Sequence, residues 1–167
     1  MLPLDPPDSH HLNAANGWLE LGLRAEAATE LDLISPTHRQ HPDVLGTRWA
    51  LFAHECRWDE ALVTASALMK CAPERADGWL HHAYALRRAA GGGLQEAWSA
   101  LLPAATKFPQ EPVICFNLAC YACQLGQLDE ARGWLKRAMK IGERDKIKLM
   151  AMVDEDLEPL WKEIRKL

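Results

Sequence analysis

The chain has 167 residues, 49% apolar and 25% charged, with a net charge of −4; this suits one compact domain or one short repeat array. The negative balance argues against a nucleic-acid binder that works by neutralising phosphates, and no apolar run approaches the roughly 20 residues of a membrane-spanning helix. The opening Met1-Leu-Pro-Leu-Asp-Pro-Pro-Asp lacks the basic start and apolar stretch of a secretory leader, so the expected compartment is the cytoplasm, with the five cysteines reduced.

In chain order, residues 1–8 carry three prolines and read as an extended segment. Four pairs of amphipathic helices are expected next, at 9–22 with 24–34, 43–55 with 58–71, 75–90 with 94–108, and 112–125 with 127–141. A Glu-Ala pair sets their register: Glu26-Ala27, Glu60-Ala61, Glu96-Ala97 and Glu130-Ala131, with alanines 34, 36 and 34 residues apart. Four residues after each alanine come Leu31, Ala65, Leu101 and Leu135; seven after come Ile34, Leu68, Ala104 and Ala138. Those offsets place the recurring apolar residues on one helical face. Gly22, Gly91–Gly93 and Gly126 mark turns within pairs, and Pro36, Pro73 and Pro109 punctuate the joins between them. The Ala89-Ala-Gly-Gly-Gly93 stretch adds two residues to the third turn. Residues 143–167 lack the repeat and read as a capping helix, turn and helix with a polar outer face. No segment alternates with period two, so strands are not expected.

Charge is unevenly spread, with a net of −5 over residues 1–73, +2 over 74–142 and −1 from 143 onward. An acidic front and a mildly basic middle would orient a charged ligand over about 8–10 Å.

In-phase repetition of about 34 residues resembles the tetratricopeptide repeat over residues 9–142. The third unit carries Trp79, Ala83, Leu86, Ala97, Leu101, Ala104 and Pro109 at the family's positions; the fourth carries Leu118, Ala119, Gly126, Ala131, Leu135 and Ala138. Departures are Cys56 at a turn glycine, Trp49 at a normally small site, an early Pro36 and Glu143 in place of a proline. The resemblance implies an all-α fold, a right-handed superhelical α-solenoid of antiparallel helix pairs. It also implies a non-catalytic scaffold that holds a protein or peptide against its first helices. The implied groove residues are Asn16 and Glu20; Ala50 and His54; Leu80, His81, Tyr84, Arg87 and Arg88; and Phe116, Asn117, Cys120 and Gln124. Leu12, Leu19, Gly46, Ala53, Asp77 and Cys123 complete the wall. The carboxylate clamp of the chaperone-binding subset is absent, because Leu12, Thr47, Asp77 and His81 stand where its donors belong. Tyr84 and Phe116 are the expected anchors, and Arg87-Arg88 favours a partner with an acidic-apolar segment. Homo-oligomerisation is the second expectation.

Chemistry finds little purchase. Cys115, Cys120 and Cys123 have an iron–sulfur-like spacing, but they fall inside a predicted helix rather than a wrapping loop. Packing is the expected role, with thiol chemistry at Cys120 and Cys123 as the alternative. His10-His11, His38, His41 and His81-His82 match no metalloprotease motif, and no serine sits in a nucleophile elbow. Neither a metal nor a cofactor is expected, and Trp18, Trp49, Trp79 and Trp134 are read as core.

Overall fold

The computed structural model describes residues 3–166; the first two residues of the expected extended segment and the last of the expected cap lie outside the described residues. Helices and turns account for the described chain, with no strand among them. It divides into two compact units, 1–91 and 92–167, at the glycine run of the third turn.

The first unit holds α1 (Asp8–Glu20), α2 (Arg24–Leu33), α3 (Pro42–His54), α4 (Trp58–Cys71) and α5 (Ala76–Leu86). Three residues link α1 to α2 and α3 to α4, and the middle one is left-handed in both turns: Gly22 at φ +75° and Cys56 at φ +56°. That conformation directs the chain back antiparallel, and only glycine adopts it without a Cβ penalty. The core packs Leu12, Ala15 and Leu19 of α1 on Ala27 and Leu31 of α2, with Ile34, Val44 and Leu51 closing it. Leu45, Leu68 and Ala72 form a second cluster.

The expected loose N-terminus is instead pinned at its last residue. Asp8 begins α1 and is buried. One carboxylate oxygen accepts the Ser35 amide at 2.9 Å and the Ser35 hydroxyl at 3.1 Å, while the other meets His38 Nδ1 at 2.5 Å. A short 3-10 turn at Pro36–His38 is thereby tied to the start of α1. The Ser35 amide bond, then the His38 bond, hold the Asp8 carboxyl below its ordinary value of 3.8, against the opposing effect of burial.

The second unit contains α6 (Leu94–Leu101), α7 (Ala104–Lys107), α8 (Pro112–Gln124), α9 (Leu128–Ile141), α10 (Arg144–Val153) and α11 (Trp161–Ile164). The helix expected over 94–108 is two helices. Pro103 has no amide hydrogen and its ring excludes a normal turn, so the chain breaks there. Gly126, at φ +77°, makes the α8–α9 turn. The cap also differs from expectation: after α10 comes a six-residue 3-10 helix, Glu155–Leu160, with Pro159 inside it, and α11 is a single turn. Asp154 caps the 3-10 helix by accepting the Asp156 amide at 3.0 Å, and Trp161 Nε1 donates to the Ala151 carbonyl at 2.9 Å.

Ala27, Ala61, Ala97 and Ala131 are all fully buried, as are Leu31, Ala65 and Leu101 four residues later. The tryptophans depart from expectation. Trp18, Trp49, Trp79 and Trp134 are half-buried, Trp18 packing on the edge of the first core, while Trp98 is buried.

Replacing Cys56 by glycine should raise stability by about 1 kcal/mol, because the left-handed backbone no longer carries a Cβ; chemical denaturation checks it. Asp8 gives a pH test. Its depressed folded pKa makes its contribution complete above the unfolded value near 3.8 and lost as pH falls through the folded one. In Asp8→Asn that part of the acid loss should vanish from thermal melts, and the variant should melt lower at pH 7.

Candidate functional site

In the first unit α1, α3 and α5 carry the predicted groove residues. Asn16 is exposed, and its Oδ1 accepts the Thr47 hydroxyl at 2.9 Å. Glu20 and His54 are exposed, while Ala50 packs half-buried against the first core. The concentrated feature lies on α3 and α5. Trp49 stacks on His81 with ring centroids 3.7 Å apart and planes 6° from parallel. Tyr84 presents an edge to Trp49 at 6.0 Å and lies 5.9 Å from Trp58, the first residue of α4. Arg88 sits 3.6 Å over the Tyr84 ring and 5.3 Å from Trp58, and donates to the Tyr84 carbonyl at 2.9 Å. Helical spacing explains part of this, since 81 and 84 are one turn apart on α5; Arg88 lies in the turn just past the helix and folds back over Tyr84. Leu80 and Arg87 are half-buried beside them, and Tyr84 keeps 38% of its surface exposed.

Electrostatics fix the charge of this cluster. Burial pushes the His81 imidazole down to about 4; Asp77 opposes that and Arg75 adds to it. His81 is therefore neutral at physiological pH and stacks as an aromatic. Trp49 Nε1 and His81 Nδ1 are both buried without a hydrogen-bond partner among the described residues. Asp77, a wall residue in the sequence reading, is engaged within the fold: Arg75 binds it at 2.6 Å and reaches Asp43 of α3 at 2.5 Å.

In the second unit the structure corrects several positions. Phe116 is buried and so is no protruding anchor; Cys120 and Cys123 are covered as well, because the segment after α10 closes over this end of α8. Cys120 Sγ lies 3.6 Å from Asp154 Oδ2, and Gln124 Nε2 donates to the Asp156 carbonyl at 3.1 Å. Asn117 is half-buried and donates to the Val113 carbonyl at 2.9 Å. Ligand atoms of Cys120, Asp154 and Asp156 fall within 4.8 Å of one another, the donor set of a weak divalent-cation site. Asp154 is also the cap of the 3-10 helix through Oδ1, while its Oδ2 faces the Cys120 thiol. Burial pushes the Cys115 and Cys123 thiols up, opposite to what a reactive cysteine needs.

An open apolar cleft of about 500 Å³ lies between the start of α8, the end of α9 and α10. Val113 and Phe116 line one side, Ile147 and Met150 the other, with Glu143 and Lys146 at its mouth. The sequence reading missed this cleft by treating residues from 143 as a polar cap. The usable signal was Ile147 and Met150 three apart beside Lys146, continuing the first-helix pattern one unit further.

No family model matches the chain, and no curated protein sequence matches it. Among solved structures it is similar to MamA, a tetratricopeptide-like protein, in the form described as the RS-1 ArsTM double mutant: the TM-score is 0.69 at 17% identity, covering 84% of this chain and 77% of that one. The fold is a tetratricopeptide-like α-solenoid. The turns at Gly22, Cys56 and Gly126 join α1 to α2, α3 to α4 and α8 to α9, so α1, α3 and α8 are the first helices of their pairs. Among the described residues no helix is long and apolar enough to cross a membrane.

The half-buried, neutral His81 yields a second pH test. A histidine with a depressed folded pKa contributes stability that is complete above the unfolded value of 6.5 and is lost as pH falls toward about 4. His81→Phe keeps a ring against Trp49 and removes the titration. Melting temperatures of the wild type should fall between pH 6.5 and 4 more steeply than those of the variant.

Proposed function

We propose that the chain is a non-catalytic protein-interaction scaffold that holds a helix or extended segment of a partner on its first-helix faces. The observation that carries this reading is exposed Tyr84 near the end of α5, with half-buried Arg88 laid over its ring and Trp49 and Trp58 behind it. Tyrosine, tryptophan and arginine are the side chains that dominate binding hot spots, and a pre-stacked arginine loses less entropy on docking. Arg88 and Arg87 favour carboxylates on the partner. Five free cysteines fit a reducing compartment, which supports a cytoplasmic scaffold.

Site-specific photo-crosslinking in the native cell tests this reading. A crosslinker at Tyr84 should capture a discrete partner protein, and one at exposed Val63 on α4 should not. Tyr84→Ala with Arg88→Glu should weaken the captured partner's binding by about 2 kcal/mol or more. Equal capture at the two positions, or unchanged affinity in the double variant, would sink the proposal.

Self-association is the second reading. It is favoured by Leu21 and Leu33, exposed by 70% and 57% on the first hairpin. Light scattering across micromolar concentrations should then show a rising mass that Leu21→Ser with Leu33→Ser abolishes.

A further inference from the structure

We infer that a basic recess at the end of α9 is a binding site for a small ligand carrying phosphate groups, a role that goes beyond the scaffold reading above. The recess measures about 360 Å³ and is lined by Lys136, Met139, Lys140 and Arg144, with no carboxylate in its wall. Lys136 and Lys140 stand one turn apart on the same face of α9, both exposed, with half-buried Met139 beside them. Arg144, the first residue of α10, brings a third cation from across the Gly142–Glu143 link. Three positive charges therefore border one space, whose size falls in the range of natural small-molecule sites, about 300–1,000 Å³.

Local stability does not account for this arrangement. Like charges one turn apart on a helix repel. The dipole of α9 favours Lys140 in its last turn, but Arg144 opens α10, where a helix dipole opposes a cation. Nearby carboxylates do not neutralise the group. Glu163 is held below its ordinary value of 4.5 first by hydrogen bonds from Arg132, at 2.7 and 2.8 Å, and only after that by the charge of Lys136. Glu143 lines the neighbouring cleft of α8, and Asp145 lines neither space. Lys136 and Lys140 form no ion pair among the described residues. Phosphate is the chemistry this wall selects. Each phosphate group brings about two charges and three acceptor oxygens. A guanidinium pairs with it through two parallel N–H bonds, and ammonium groups serve it as point charges. The apolar part of the wall is one methionine, too little to seat the projecting side chains of a protein segment.

The test is isothermal titration calorimetry of the full chain with tripolyphosphate at low ionic strength. Binding should saturate, weaken as salt rises, and exceed that of citrate, whose charge sits on carboxylates. Lys136→Gln and Lys140→Gln, both at exposed positions, should each weaken it by about threefold or more, and the double variant by about tenfold. Lys70→Gln, exposed on α4, should leave it unchanged. Melting curves separate binding from folding. Without ligand the two variants should melt no lower than wild type, because a repulsion is relieved, and tripolyphosphate should raise the wild-type melting temperature more than theirs. Phosphatidic acid in phosphatidylcholine vesicles distinguishes the two sources of phosphate. Binding of tripolyphosphate assigns a free ligand; sedimentation with the vesicles alone, lost in both variants, assigns a lipid headgroup. Binding to neither probe, citrate affinity equal to that of tripolyphosphate, or wild-type affinity in both variants overturns the inference. Capture at Tyr84 is independent of all these outcomes, so this site and the scaffold stand or fall separately.

Discussion

Close approach of helix backbones at buried alanines is the constraint from which the remaining features follow. Ala27, Ala61, Ala97 and Ala131 leave no surface to solvent. A methyl is the largest group that lets paired helices pack at the short end of the usual 8–10 Å spacing. Each alanine is followed at four and seven residues by an apolar side chain on the same face, so the second helices are committed inward. Large aromatic side chains are displaced from those crossings. Trp49 of α3 stacks on His81 of α5, and Trp98 of α6 meets Trp134 of α9 edge-on.

That displacement links packing to function. At the end of α5 the chain runs from a half-buried neutral imidazole at His81 to exposed Tyr84, and Arg88 just beyond the helix lays its guanidinium on the tyrosine ring. Trp49 packs on both His81 and Tyr84, and Arg88 lies on Tyr84, so the surface is held in place, and a rigid aromatic surface binds with less lost entropy. In the second unit the same first-helix face is partly spent internally: Cys120, Cys123 and Gln124 are taken up by the 154–160 segment. What stays open there lies at the opposite end of α8, between Val113 and Met150.

The helix pairs and their turns were legible in the sequence. Left-handed Gly22 and Gly126, and even the substituted Cys56, stand where the repeat places them. Periodicity does not show two features that local backbone chemistry sets: Pro103 breaks a helix whose apolar pattern runs straight through it, and Asp8, at the end of the extended segment, anchors Ser35 and His38. The candidate site was read less well. Tyr84, Arg87 and Arg88 were named from their position in the repeat, but Phe116 and Cys120 were named by the same rule and are buried.

The sequence alone determined the register, because a period of about 34 residues with small residues at fixed offsets admits one way of pairing the helices. It also determined the outward placement of charge, since Lys and Arg are costly to bury unpaired. Which first-helix residues remain available was decided only by the tertiary structure. Availability depends on what folds back over each face, and the 3-10 segment that covers Cys120 lies more than thirty residues further along the chain. The Asp8–Ser35–His38 tie, the Trp49–His81 stack and the cleft above Gly142 join residues that no local pattern connects. Each exists because packing brought its members together.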